Sequence, residues 1–388
     1  MTNSFIPYGR QDISGEDIEA VVTTLRSDFL TQGPQVPAFE DAVAQHCGAA
    51  HGIAMNSATS ALHVACMALD LGAGDWLWTV PNTFVASANC AIYCSAKVDF
   101  VDIDPATYTM CPAALEAKLK LADAAGTLPK IIVPVHLCGQ SCDMEAIANI
   151  ARAYGIKIVE DASHSIGADH QGHPVGDCRY SDITVFSFHP VKIITTAEGG
   201  LATTQDPDLA RKMDLARSHG ITRDPAQMTH AADGAWYYQQ VTLGYNYRMT
   251  ELQGALGLSQ MKRLNDFVAR RRQLAAQYDV LLADLPLKRP AQHADANSSW
   301  HLYVVRVDAK HHGSVFDTLR AAGIGVNLHY IPVHTQPYYR DMGFEPGQFP
   351  ESEAYYSEAI SIPLYAGLTD DDQNRVVAEL TKALAAQS

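Results

Sequence analysis

The chain is short of positive charge. In 388 residues, 28 lysines and arginines stand against 43 aspartates and glutamates, a formal net charge of −15. Counterion release from nucleic acid or an anionic lipid surface needs clustered lysine and arginine. No nucleic acid and no membrane are therefore expected as partners, and an anionic substrate has to be met by local donors. The sequence lacks an apolar run long enough to span a bilayer. Its opening Met1–Pro7 lacks the basic patch and apolar core of a leader. Eight cysteines (47, 66, 90, 94, 111, 138, 142 and 178) show no disulfide-scaffold spacing. Cys138 and Cys142 have no second pair to complete a zinc site. The expectation is a cytoplasmic protein with reduced thiols and no metal. A glycine-rich G-x-G-x-x-G turn is also missing, which argues against a nicotinamide-dependent oxidoreductase.

What is present centres on Ser181–Thr204. Ile183–Phe188 reads as a buried strand, His189-Pro190 opens a turn, and a second strand closes at Gly199-Gly200. The turn holds Lys192 among Val191, Ile193 and Ile194. Desolvation disfavours an ammonium, so such a lysine tends to lose its proton and become a nucleophile. The plainer alternative is a lysine that carries its head group out to water. Ser187 sets a hydroxyl on the same turn, a pairing suited to a phosphate and an aldehyde of one cofactor.

Hydrophobic content of 47% and charged content of 18% are ordinary for a soluble enzyme. Ser14-Gly-Glu-Asp17 is a capping-box start for a helix with Ile18, Val21, Val22 and Leu25 on one face. Another helix runs from Val36 to His46 and stops before Gly48. From His51 strands and helices alternate. Strands are expected at Gly52–Met55, Trp76–Val80, Val98–Val101, Lys130–Val135 and Lys157–Val159. This pattern implies an α/β sheet, mainly parallel and covered on both faces. Ligands collect at the carboxyl ends of such strands, which puts Asn56, Phe84, His136 and Asp161 on one rim. The turn Asn56-Ser-Ala-Thr-Ser60, leading into a helix at Ala61–Leu69, is either an anion cradle or a set of ordinary helix caps. Asp161 is either a cap or an anchor for a protonated ring nitrogen. Gly244–Arg248 opens a helix running to Leu281. A strand at Trp300–Val307, a helix at Ser314–Ala322, a strand at Gly325–Leu328 and a Thr369-capped helix then form a smaller α+β unit. The expected division is 1–250 and 251–388.

Seven runs now fall into register: Leu30-Thr-Gln-Gly-Pro34, Asn56-Ser-Ala-Thr-Ser-Ala-Leu62, Glu160-Asp-Ala-Ser-His164, Phe186-Ser-Phe-His-Pro-Val-Lys192, Glu198-Gly-Gly200, Gly244-Tyr-Asn-Tyr-Arg-Met249 and His329-Tyr-Ile-Pro332. In order, and over nearly the whole chain, they resemble the DegT/DnrJ/StrS family of pyridoxal-phosphate sugar aminotransferases. The resemblance implies the type I aminotransferase fold, with a large domain on a mainly parallel mixed sheet and a smaller C-terminal α+β domain. It implies Lys192 as the catalytic residue, bound to pyridoxal 5'-phosphate as a Schiff base and moving the proton. Asp161 would keep the pyridine nitrogen protonated. Phe84 would stack on the ring, and is otherwise a core aromatic. The Ala58 and Thr59 amides and the Ser187 hydroxyl would hold the phosphate. Asn246 would reach it from a second subunit, making a homodimer part of the site. His164 would sit beside the ring, where glutamine or histidine is usual, and is otherwise a buried, hydrogen-bonded histidine.

A narrower likeness, to the family's pseudaminic-acid branch, rests on Tyr8-Gly-Arg-Gln11, Leu25-Arg-Ser-Asp-Phe-Leu-Thr-Gln-Gly-Pro34 and Ser187-Phe-His. Ile193 departs from it, since proline commonly follows the lysine there. This likeness implies amino transfer from L-glutamate, which leaves as 2-oxoglutarate. The acceptor carbon is C4 of a UDP-linked 4-keto-6-deoxy-N-acetylhexosamine, UDP-2-acetamido-2,6-dideoxy-β-L-arabino-hex-4-ulose. Sugar contacts would come from Tyr8, from Asp28, Phe29, Leu30 and Thr31, and from His329, Tyr330, Ile331 and Pro332, each otherwise ordinary loop. The alternative is C3 or C4 of another nucleotide ketosugar. A sugar 3-dehydratase of similar fold would carry histidine at position 192, and a transcription regulator would need a basic DNA-binding module that the chain lacks.

Overall fold

The computed structural model describes residues 4–387. Met1–Asn3, part of the segment read for a leader, and Ser388 lie outside them. The alternating runs form a seven-stranded sheet. Its strands are β1 (His51–Met55), β2 (Trp76–Thr79), β3 (Lys97–Phe100), β4 (Ile131–Ile132), β5 (Lys157–Asp161), β6 (Ile183–Ser187) and β7 (Gly200–Thr204). They lie in the order β1-β7-β6-β5-β4-β2-β3. From β6 to β3 all neighbours are parallel, and β7 is antiparallel to both β6 and β1.

The period-2 alternation of a strand sorts the core. Leu77, Ile131 and Val159 join one apolar cluster with helices α3 (Ala58–Ala68) and α4 (Ala86–Tyr93), while Trp78, Ile132 and Ile158 join another with α5 (Pro112–Ala125) and α6 (Met144–Ala153). On the first side, α7 (Pro207–Arg217) packs beside α3. Helices α1 (Gly15–Leu25) and α2 (Gln35–Cys47) both pack on α8 (Glu251–Met261). A third cluster joins α9 (Leu264–Leu281) to Tyr303–Arg306, its antiparallel partner Ala359–Ile362 and the final helix Asp370–Ala385.

Several boundaries differ from the expected ones. Helix α3 begins at Ala58 rather than Ala61, because the Ser57 hydroxyl accepts from Ser60 N–H and caps it. Strand β4 is only Ile131–Ile132. Pro134 has no N–H to extend the ladder, and Val135 rejoins through a single bridge to Asp161. Strand β5 runs through Glu160 and Asp161. The second strand of the central stretch starts at Gly200 instead of closing there. Gly325–Leu328 forms no strand and touches its neighbour through one bridge, Asn327 to Ser361.

The long helix to Leu281 is two helices, α8 and α9, broken at Lys262-Arg263. There Arg263 meets Asp12 and the fully buried Asp17, each at 2.5 Å. The same ion pairs orient α1. Its buried face carries Asp17 and Thr24, while Ile18 and Leu25 stay 57% and 53% exposed. Part of the apolar stripe of α1, Ile18 and Leu25, therefore turns outward, while Val21 and Val22 are half-buried.

The N-terminal segment docks on the C-terminal unit. Ile6 N–H donates to Gly323 O at 3.0 Å, and Leu364 N–H donates to Tyr8 O at 3.0 Å. Among the described residues, no helix is long and apolar enough to cross a membrane, and no cysteine is paired.

Candidate active site

A cleft of about 600 Å³ opens where β5 and β6 end and α3 begins. Strand β5 delivers Asp161 to it. Successive side chains alternate, so neighbouring Glu160 faces the other way and is held by His136 Nε2 at 2.6 Å and the Ser181 hydroxyl at 2.5 Å. Burial works to raise the Glu160 carboxyl, and those hydrogen bonds bring it below its ordinary range. On the cleft side, the Ser87 hydroxyl of α4 donates to Asp161 Oδ2 at 2.6 Å, and Ser163 N–H donates to Oδ1 at 3.1 Å. No helix follows Asp161, so it is not a helix cap.

Lys192 lies in the loop between β6 and β7 and opens on the cleft. No carboxylate stands within ion-pair distance of it among the described residues. Burial pushes its amine down from the ordinary lysine range to about 8, against the opposing pull of Asp161. A sizeable fraction of this amine is neutral near pH 8, as a nucleophile or proton acceptor requires.

The third corner is the N-terminus of α3. Ser60 N–H is taken by the Ser57 hydroxyl and Ala61 N–H by Ser57 O. The N–H groups of Ala58 and Thr59 and the hydroxyl of Ser187 have no hydrogen-bond partner among the described residues, and all three residues line the cleft. Ser187 pairs with Gly200 across β6 and β7, and a Cβ on Gly200 would lie 2.4 Å from Ala58 N. Glycine thus lets the Ser187 strand and the helix N-terminus close on one point. Unbonded donors at a helix N-terminus fit a phosphate. With Asp161 for a ring nitrogen and Lys192 for an aldehyde, the donor set fits pyridoxal phosphate.

The opposite wall carries Phe84, Tyr8, His164, His329 and Tyr330. Phe84 is no core aromatic: it is 56% exposed at the lip, with its ring 6.0 Å from that of Tyr330. Burial lowers His164 well below the ordinary histidine range and His329 to about 3, and Lys192 adds to both shifts. Both imidazoles are neutral. The remaining residues singled out lie outside the cleft of the single chain. Asp28–Thr31 form an exposed loop, Asn246 is exposed and bridges to Ser218, Ile331 faces solvent and Pro332 is buried. Sequence reasoning did not reach Ser87, which reads as one small residue in a small-residue helix. It also passed over His301, which lies inside a strand-like apolar run.

The sequence model of the DegT/DnrJ/EryC1/StrS aminotransferase family matches residues 11–381. The spore coat polysaccharide biosynthesis protein SpsC of Bacillus subtilis (strain 168) is 39% identical over 382 residues, covering 97% of this chain and 96% of that protein. Among solved structures, Helicobacter pylori PseC, an aminotransferase involved in the biosynthesis of pseudoaminic acid, superposes with a TM-score of 0.91 at 29% identity, covering 99% of this chain and 100% of its own. A putative sugar aminotransferase from Streptococcus pneumoniae, Spr1654 in its PMP form, gives 0.90 at 29% identity over 98% and 99% of the two chains.

Proposed function

The chain belongs to the DegT/DnrJ/EryC1/StrS aminotransferase family and is a pyridoxal-phosphate-dependent transaminase of the type I fold, and from that premise we propose that it aminates C4 of a UDP-linked 4-keto-6-deoxy-N-acetylhexosamine with L-glutamate as donor, as a UDP-4-amino-4,6-dideoxy-N-acetyl-β-L-altrosamine transaminase. The observation that carries the reading is the three-cornered cleft, with Tyr8 of the Tyr8-Gly-Arg-Gln11 run standing in it beside His329, ring centroids 5.3 Å apart.

Pyridoxal phosphate, when bound, supplies the electron sink that makes a proton on the carbon next to an amine removable. The chain's own groups do the rest. The Ala58 and Thr59 N–H groups and the Ser187 hydroxyl hold the phosphate. Asp161, oriented by Ser87 and Ser163, keeps a positive charge on the ring nitrogen through a charge-assisted hydrogen bond. The Lys192 amine takes the proton from Cα of glutamate and later delivers one to C4 of the sugar. Two substrates using one site in turn give ping-pong kinetics.

The site is completed by a second copy. Asn246, exposed in the single chain, reaches the phosphate of the neighbour, and the outward part of the apolar stripe of α1 together with exposed Phe29 and Leu30 offers surface for that copy. Mixing inactive Lys192→Ala chains with Asn246→Ala chains should restore activity, because half of the mixed sites are then intact. No gain on mixing removes the shared site.

An absorbance spectrum tests the whole reading. The visible band of the bound cofactor should bleach with L-glutamate and return with the UDP-4-ketosugar. A band that bleaches but returns only with a different nucleotide ketosugar keeps the transaminase and replaces the substrate, with C3 or C4 amination of another sugar as the next reading.

A further inference from the structure

His164 makes two hydrogen bonds that together fix where its proton sits. The turn Leu137–Gly139 places Cys138 in the left-handed region, at φ 63°, and Gly139 follows at φ 97°. A non-glycine residue rarely takes that conformation. Here it turns the Cys138 N–H onto His164 Nδ1 at 3.3 Å. A ring nitrogen that accepts a hydrogen bond has no proton of its own, so neutral His164 carries its hydrogen on Nε2. Nε2 lies 3.1 Å from the Tyr330 hydroxyl oxygen. Nε2–H therefore donates and the Tyr330 oxygen accepts, which leaves the hydroxyl hydrogen free to point elsewhere. The Tyr330 hydroxyl has no other partner among the described residues, and both side chains line the cleft.

The arrangement is braced from behind. The His301 ring packs on His164 at 4.4 Å, and the Ser299 hydroxyl donates to His164 O at 3.2 Å. A Cβ on Gly139 would strike the His301 and Trp300 backbone nitrogens at 2.8 and 2.9 Å, so only glycine lets the turn seat there. Arg271 donates to His301 O at 3.2 Å and anchors that segment to α9. The titratable groups around the pair are Lys192, His301, His329, Asp161, Tyr8 and Cys138. Burial keeps His164 neutral and keeps Tyr330 a phenol, a donor rather than an acid.

The geometry points to His164 as a positioning residue whose backbone-fixed tautomer makes Tyr330 a hydrogen-bond donor to the carbonyl oxygen of the acceptor substrate. This rests on the reading of that acceptor as a ketosugar. A donor at the carbonyl oxygen polarises the C=O bond toward attack by an amine, and no proton need leave Tyr330.

Two experiments on the holoenzyme test it. In protein labelled with ¹⁵N-histidine, NMR should find His164 protonated on Nε2 alone and unchanged from about pH 6 to 9. A proton on Nδ1, or a titration within that range, overturns the relay whatever the substrate. The two half-reactions are then followed separately. Tyr330→Phe should slow the ketosugar half-reaction by roughly 10- to 100-fold and spare the glutamate half-reaction. His164→Leu should slow the ketosugar half-reaction more than the glutamate half-reaction, which it also touches through its place beside the cofactor ring. His164→Gln should largely rescue the ketosugar half-reaction, since a carboxamide also accepts from Cys138 and donates to Tyr330. His164→Glu, which cannot donate while its carboxylate is ionised, should not rescue it at a pH that keeps the carboxylate so. Equal slowing of both half-reactions by Tyr330→Phe, or a Gln variant as slow as Leu, overturns the proposal. Wild-type enzyme that reacts with glutamate but with no UDP-ketosugar instead overturns the substrate reading, and with it the carbonyl contact, while the NMR result still decides the tautomer.

Discussion

On one side of the cleft, Asp161, Ser187 and Ala58 sit at the ends of β5 and β6 and the start of α3, each held by sheet or helix hydrogen bonds. On the other, Tyr8, His329 and Tyr330 come from segments more than three hundred residues apart, brought together by the docking of the N-terminal segment on the C-terminal unit. Those three residues of the first wall all come from one chain's regular elements. The second is loop, and its expected partners Asp28–Thr31 lie outside the single-chain cleft. The contrast follows the chemistry. On the proposed reading, the cofactor wall has to hold a few atoms at fixed distances, which regular elements do well, whereas the proposed substrate wall has to suit one sugar, which loops can change without disturbing the sheet.

Substitutions can sharpen that contrast. Lys192→Ala should abolish multiple-turnover transamination, a loss of roughly 10⁴-fold, while the fold and the phosphate corner remain; undiminished turnover removes the lysine's role. Asp161→Asn keeps the shape and the Ser87 contact, so the cofactor should stay bound while kcat falls by about 10²- to 10³-fold. Normal turnover in that variant would show that the ring nitrogen needs no carboxylate.

A pH series on cofactor capture by the apoenzyme reads the same wall more gently. With Lys192 near 8, the reactive amine is deprotonated, so the rate should climb about tenfold from pH 7 to 9 and flatten above 8. An ordinary lysine would still be climbing past pH 10. Smallest of all, Tyr8→Phe on the substrate wall should raise KM for the sugar several-fold, the worth of one hydrogen bond, and leave cofactor affinity unchanged. A change in cofactor affinity instead would mean that the two walls are not separable.

The same division governs how far the site was legible in the sequence. Lys192, Asp161, Ser187 and the Ala58-Thr59 turn stand out because a buried lysine, a carboxylate at a strand end and small residues before a helix each need a chemical reason. Ser87 is invisible beforehand because its importance lies only in what α4 brings it against. The break between α8 and α9 is also hidden. No proline or glycine marks it, and the ion pair that sits at it joins Arg263 to Asp17, some two hundred and fifty residues away in sequence. The partly outward stripe on α1 misleads for the same reason, since helical periodicity finds an apolar face but not the surface it will meet.

The ladder rung between Ser187 and Gly200 has one more consequence. It fastens the hydroxyl, the helix N-terminus and both ends of the lysine loop into one piece, with no room for a side chain at position 200. In a saturation mutational scan, position 200 should prove as intolerant as Lys192 although it touches no ligand. A scan ranked by intolerance alone would then place a purely geometric residue beside the proposed nucleophile, and only the chemistry of the neighbours would tell them apart.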